Sequence, residues 1–346
     1  VVAIALALHL THAIDDEAMA RRKPGAPLDP AAATTYPLRR RRSLVQARLQ
    51  ARVPRAGDSL AAFLAGLPDV LAAADLRTIA TAIAQRHRRG RRIVLGMGAH
   101  PIKVGLGTLV IDLMRRGVLS AVAVNGAAIV HDFELAYAGQ TSEDVGAGLE
   151  DGSFGMARET GAFLNEAIAD RTADEGLGET VGRALAAARL RHGELSLLRA
   201  GYELGIPVTV HVAVGTDIVH MRASAGVAAI GAGSLRDFHR LGGVVAGLRG
   251  GVFLNLGSAV VIPEVFVKAL NLARNLGHRV DDLVTVDMDF LRHYRPGVNV
   301  VARPTATSGH GYRLTGHHEI MFPLLCAAVT EQLAHEDTRS GRRRRR

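Results

Sequence analysis

Short, wholly apolar runs alternate with longer amphipathic stretches from residue 58 to residue 333. Residues 58–90 carry apolar side chains at helical spacing, Ala61 to Leu64 and then Leu71, Leu76, Ile79 and Ile83, with Asp75 as an N-cap for the second helix. Ile93 to Leu95 is apolar on every side, as in a strand buried on both faces, and ends at Gly96. Gly96, Gly98 and Gly105 permit a tight turn and close approach of a ligand to the backbone. Residues 106–116 return to the helical period, and Gly117 is a helix stop. Ala121 to Val124 reads as a second strand ended by Asn125-Gly126. Residues 139–195 read as mostly helical, with breaks at Thr141 to Asp144 and Asp151 to Gly155. Strands at 206–214, 251–257 and 282–287 follow, with a helix from Pro263 and a closing helix over 320–333. Strand, helix and strand in this alternation predict an α/β fold: a doubly wound, mostly parallel, Rossmann-like sheet with helices on both sides.

Composition narrows the function classes. Aromatics make up 4% with no Trp, which argues against a nucleic-acid reader built on stacking. The net charge of +9 is terminal: residues 1–56 carry +6 and Arg342 to Arg346 carry +5, leaving the body at −2. No nucleic-acid or membrane partner is therefore expected. One cysteine, Cys326, excludes an internal disulfide and a cysteine zinc cluster, and fits a reducing, cytoplasmic setting. Val1 to Leu10 is too short to span a membrane and lacks the basic start of a signal peptide. The expected organisation is an extension over residues 1–34, disordered or lying upstream of the true start. One α/β nucleotide-binding domain over 35–335 and a basic disordered tail over 336–346 follow it.

In open α/β sheets ligands sit at the carboxyl ends of the strands. The turns predicted there carry polar groups: His100 and Lys103 after the first strand, Asn125 and His131-Asp132 after the second, Thr216-Asp217 and His220 after the third. An acid at a strand end can bond ribose hydroxyls, which points to Asp217. The fifth strand ends in Asp287-Met-Asp289, and His310, His317 and His318 fall in a late loop region. Imidazoles so placed can orient substrate, move protons near neutral pH, or ligate a metal, although His317-His318-Glu319 lacks helical H-E-x-x-H spacing.

Residues 96–134 resemble the nucleotide-binding opening of deoxyhypusine synthase, Gly-x-x-Ser-Asn-x-x-x-Ser-Gly, a helix, then Thr-Ala-Gly-Gly-Val-Glu-Glu-Asp-Phe. Gly96, Gly105, Gly126, Asp132 and Phe133 keep that pattern; Ala99, His100, Lys103, Val104 and His131 depart from it. The likeness extends over residues 93–320, through Thr216-Asp217, Asn271 and Ser308-Gly309. It implies NAD as cofactor, held by Gly96, Gly98, Ala99, His100, Gly105, Asn125, Gly126, Thr216, Asp217, Thr307, Ser308 and Gly309. It implies His131, Asp132, His317 and Glu319 as the groups that move protons, and Asn271, His220, Asp287 and His318 as substrate contacts. The substrate would be a small amine or polyamine, dehydrogenated and its aminoalkyl group passed to an acceptor amine. A homo-oligomer, a tetramer with sites between subunits, is implied too. The family's covalent imine uses a late lysine, and this chain has none after Lys268. Two other readings remain: a histidine-based metal-dependent hydrolase or lyase on the same fold, and a non-catalytic nucleotide sensor.

Overall fold

The computed structural model describes residue 25 and residues 27–343. The expectations for residues 1–24 and 26, and for the last three arginines, lie outside the described residues. Contacts divide the chain into two compact units, Val1–Gln46 and Ala47–Arg346. The first unit shows two short 3-10 turns, Pro30–Ala32 and Leu38–Arg40, neither burying a residue.

The second unit carries six strands: β1 (Ile93–Met97), β2 (Ala121–Asn125), β3 (Val208–His211), β4 (Val252–Leu256), β5 (Leu283–Asp289) and β6 (Gly309–Thr315). Its helices are α1 (Leu60–Gly66), α2 (Leu71–Arg88), α3 (His100–Lys103), α4 (Gly107–Arg115), α5 (Gly126–Ala138) and α6 (Val145–Asp151). They continue with α7 (Arg158–Ala169), α8 (Leu177–Ala188), α9 (Leu197–Leu204), α10 (Val227–Ala246), α11 (Val261–Asn275) and α12 (His318–Arg343). The last helix takes in residues 336–343, which the sequence places in a tail. The strands form one sheet in the order β3-β2-β1-β4-β5-β6, and every neighbouring pair is parallel. Chain order therefore reverses between β1 and β4. The carboxyl ends of those two strands mark the switch point where α/β sheets bind ligands.

The alternation of side chains across the sheet sorts the core into two layers. Ile93, Leu95 and Met97 of β1, with Leu254, Leu256, Val286 and Met288, face the layer that includes α2, α4, α5 and α12. Val94, Ala123, Phe253 and Leu283 face α10 and α11, where Leu241, Val245, Ile262 and Phe266 close the second layer. Gly96 belongs to this second face: a Cβ there would overlap Ile262 Cγ2 and come within 2.8 Å of Phe253 Cζ. Its lack of a side chain thus lets α11 pack onto the strand, which corrects the expectation that a ligand needs the space.

β6 is a strand the sequence does not predict, and the helices α3 and α10 are likewise absent from the sequence-based expectation. Gly309-His-Gly-Tyr-Arg-Leu-Thr315 has two glycines and buries only Leu314, because it is an edge strand paired on one side to β5. Its register also moves a predicted site. Gly309 pairs with Leu283 at the start of β5, and Ser308 Oγ accepts from Asp282 N at 3.2 Å. Thr307, Ser308 and Gly309 therefore lie at the amino edge of the sheet, about 20 Å of strand away from the ligand edge. Within one chain they do not meet Gly96 and Gly98 around one cofactor.

Candidate functional site

Two groups of side chains gather at the carboxyl edge, and α3 spans them: His100 begins that helix and Lys103 ends it. The first group lies at the switch point. β1 and β4 turn so close together there that a Cβ on Gly98 would overlap the carbonyl oxygen of Gly257. Gly257 has φ +63°, and a Cβ on it would lie 2.9 Å from His318 Nε2. His318, at the start of α12, is 1% exposed, and its ring nitrogens make no well-formed hydrogen bond, with the Met288 backbone carbonyl as the one nearby acceptor on the chain's backbone. Its Nε2 stands 3.7 Å from Asp289 Oδ1. Burial lowers the His318 pKa, against the opposing pull of Asp289. The rings of His100 and Phe290 approach it, with centroids at 5.3 and 5.5 Å. Asp287, two residues before Asp289 on the strand, accepts from Asn255 Nδ2 at 2.9 Å. Burial pushes the Asp287 carboxyl up to about 6; the Asn255 bond opposes this and the Asp289 charge adds to it.

The second group surrounds a cavity of about 210 Å³ at the ends of β2 and β3. It is lined by Lys103, Val130, His131 and Glu134, by Ser142 and Glu143 of the following loop, and by Thr216 and Asp217. His131 and Glu134 are one turn apart on α5 and so share a face. His131 Nδ1 lies 2.7 Å from Thr141 Oγ1, Thr141 donates to Glu134 Oε2 at 2.5 Å, and Thr160 donates to Glu134 Oε1 at 3.1 Å. Burial, reinforced by Lys103, lowers the His131 pKa to about 4, so the ring is neutral at pH 7. With a neutral imidazole the lining holds Glu134, Glu143 and Asp217 against one cation, Lys103. A second cavity of about 440 Å³ shares Glu134, Ser142 and Glu143 with the first and adds Glu159 and Tyr137. Glu159 is paired to Arg158 at 2.9 Å, so the acidic excess that suits a cation lies at Glu134, Glu143 and Asp217 of the first cavity.

Asp217 is buried against the first turn of α5, where a Cβ on Gly126 would overlap its Oδ2. Desolvation raises its pKa, with His220 pulling the other way. His220 Nδ1 accepts from the backbone of Gly215 and Asp217 at 3.1 and 3.2 Å, so this histidine secures its own turn rather than offering that nitrogen to a substrate. Asn125 Oδ1 accepts from Ala128 N at 3.2 Å and caps α5. Between Asn125 and Asp217 the amino end of α5 already has its acceptor and its negative charge, and it does not fit a phosphate.

The remaining predicted residues scatter. Asp132 points away from the cavity and accepts from Ser196 Oγ at 2.6 Å, Leu197 N at 2.7 Å and Leu198 N at 3.3 Å. It is a buried cap for α9 and does not touch the site. Asn271 is exposed in the third turn of α11, about 15 Å along the helix from its start. His317 and Glu319 are exposed and 3.8 Å apart, outside the buried cluster that His318 enters. Gly105 (φ +81°) is an exposed turn between α3 and α4. Ala99 caps α3 between the two groups, and Thr216 lines the cavity mouth. Glu134 and Phe290 are not among the residues expected at the site, and Thr141 and Glu143 enter the sequence reading only as part of a loop break at 141–144; the His131–Glu134 spacing is the further signal the sequence holds.

Among the described residues no three His, Cys, Asp or Glu side chains converge as a group that could hold a metal ion. Among the same residues no helix is long and apolar enough to cross a membrane.

No family model matches the chain, and no curated protein does. Solved structures do. A candidate deoxyhypusine synthase from Entamoeba histolytica is 11% identical with a TM-score of 0.50, over 79% of this chain and 93% of that one. ArgZ, an arginine dihydrolase of the ornithine-ammonia cycle in cyanobacteria, is 16% identical with a TM-score of 0.48, over 75% of this chain and 31% of its own. AgrE, solved in a ternary complex with ornithine and NAD+, is 13% identical with a TM-score of 0.49, over 77% and 33%. The chain thus spans about a third of the length of ArgZ and AgrE. At 11% identity the likeness to the Entamoeba structure shows the fold alone, an α/β Rossmann-like sheet of the deoxyhypusine synthase-like kind.

Proposed function

We propose that the chain is an NAD-using enzyme acting on a small amine or polyamine, of the deoxyhypusine synthase-like type. The observation that carries the amine part is the acidic lining of the inner cavity, in which Glu134, Glu143 and Asp217 outnumber Lys103 beside a neutral His131; Glu159 in the adjoining space is paired to Arg158 at 2.9 Å and adds no free charge. At about 210 Å³ this cavity is below the roughly 300 Å³ at which pockets for larger ligands begin, so it takes a small molecule or one end of a longer one.

The cofactor reading rests on the switch point. His318 holds buried ring nitrogens there, one beside the Met288 backbone carbonyl and neither in a well-formed hydrogen bond, a polarity that a ligand's amide or hydroxyl would satisfy. The residues that would hold NAD are His318, Asp289, the backbone of Gly98 to His100, and Gly257, with the rings of Phe290 and His100 as flat walls. When bound, NAD supplies a hydride acceptor. The chain's own residues bind and orient the amine through carboxylates and keep its nitrogen beside a neutral imidazole. Because no lysine follows Lys268, the reaction we assign is oxidation of the amine, with transfer of the carbon chain to a second amine as its extension. Assembly as a homotetramer belongs to the same reading.

Calorimetric titration of NAD into the full chain tests it. A micromolar Kd is expected. His318→Leu should weaken binding tenfold or more, the loss of one buried hydrogen bond to a charged or strongly polar ligand, about 1.5–3 kcal/mol. A full-length protein that binds no nicotinamide nucleotide would leave only the fold likeness standing.

A further inference from the structure

The relay behind His131 has a direction that the hydrogen atoms dictate. Thr141 has one hydroxyl hydrogen, and it goes to the Glu134 carboxylate at 2.5 Å. A carboxylate only accepts, so Thr141 Oγ1 meets His131 Nδ1 at 2.7 Å as an acceptor. Nδ1 must then carry the ring hydrogen. Thr160 holds the other carboxylate oxygen at 3.1 Å, which keeps Glu134 aimed along the relay. Among the described residues no protein hydrogen bond reaches His131 Nε2, and His131 lines the cavity.

We propose that Glu134 and Thr141 are positioning residues. They lock His131 in the Nδ1–H tautomer and leave the Nε2 lone pair as the proton acceptor of the acidic cavity. Given the amine reading above, on which the choice of ligand rests, the group that meets this lone pair is an amine nitrogen, whose N–H donates a hydrogen bond to Nε2. Burial and Lys103 both disfavour an imidazolium, so the ring rests neutral with the Nε2 lone pair free. The arrangement has the logic of an oriented base whose far nitrogen is fixed by a carboxylate, here with a hydroxyl interposed.

The tautomer can be read without ligand or activity. Ring-nitrogen NMR of histidine-labelled full-length protein at pH 7 should show His131 neutral and protonated at Nδ1. Thr141→Val removes the acceptor and should turn that single tautomer into a mixture in which the Nε2–H form, the usual one in free histidine, dominates. Glu134→Gln, whose amide can donate to Thr141 and reverse the relay, should move it in the same direction while leaving the fold and the Thr160 contact in place. A wild-type ring carrying its hydrogen on Nε2, or a charged ring at pH 7, would overturn the proposal, as would a Thr141→Val protein with an unchanged tautomer. Adding 1,4-diaminobutane to the same sample tests the amine reading separately: failure to bind would remove that ligand and leave the tautomer result as it stands.

Discussion

Asp132 separates a structural reading from a catalytic one, and its energetics can be worked from its contacts. Its carboxylate is 1% exposed and takes two strong donors, Ser196 Oγ at 2.6 Å and Leu197 N at 2.7 Å, with a longer one from Leu198 N at 3.3 Å. Ser196 in turn caps α9 by accepting from Arg199 N at 3.0 Å. Asp132→Ala would orphan these donors beside a small void, at about 2 kcal/mol for each short bond and about 1 for the long one, or about 5 kcal/mol in all. The charge has an opposing cost. Burial lifts the carboxyl from 3.8 to about 6 despite the donors. At about 1.4 kcal/mol per pH unit that rise means ionisation in the folded state costs about 3 kcal/mol more than in the unfolded chain. The sign follows from linkage: the folded pKa is raised, so between pH 4 and 6 the folded state binds more protons, and stability falls as pH rises through that window. The alanine variant lacks this term. Its destabilisation should therefore be about 5 kcal/mol near pH 4 and only about 2 kcal/mol above pH 7. Urea unfolding at both pH values, with m unchanged, checks this. A pH-independent difference, or a stable variant that has lost amine binding, would refute the structural assignment and return Asp132 to the site.

Other expectations follow from the same contacts. Gly98→Ala forces a Cβ into the Gly257 carbonyl; separating the β1 and β4 turns should cost about 3 kcal/mol and abolish nucleotide binding at the switch point, as read by thermal melting and titration. Asn271→Ala on the exposed face of α11 should change stability by less than about 0.5 kcal/mol and leave ligand binding unaltered, whereas a lost response to amines would mean the helix reaches the site. Ser308→Ala should lose about 1 kcal/mol through the missing bond to Asp282 N, with nucleotide affinity unchanged. A fall in that affinity would contradict the position of residues 307–309 at the amino edge.

The sequence by itself determined the layered α/β fold. Apolar runs such as Ile93 to Leu95 and Ala121 to Val124 have no polar face, and such strands exist only between two covering layers. It also marked two strand ends, since Gly98 and Asn125 break those runs where β1 and β2 give way to helices. β6 was not legible, because an edge strand needs no apolar alternation and backbone pairing with β5 alone holds it. The assignment of roles was not legible either. Asp132 and His131 are neighbours in sequence, yet they sit about 100° apart around α5, so one enters the core to cap α9 and the other faces the cavity. Ser308 and His318 are ten residues apart, yet a strand runs between them and puts them at opposite edges of the sheet. Glu134, Thr141 and Thr160 come together only because the loop after α5 and the start of α7 fold back over that helix. Local pattern decides which residues make strands and turns; which side chains share a space depends on register and helix rotation, and these are fixed only when the layers pack.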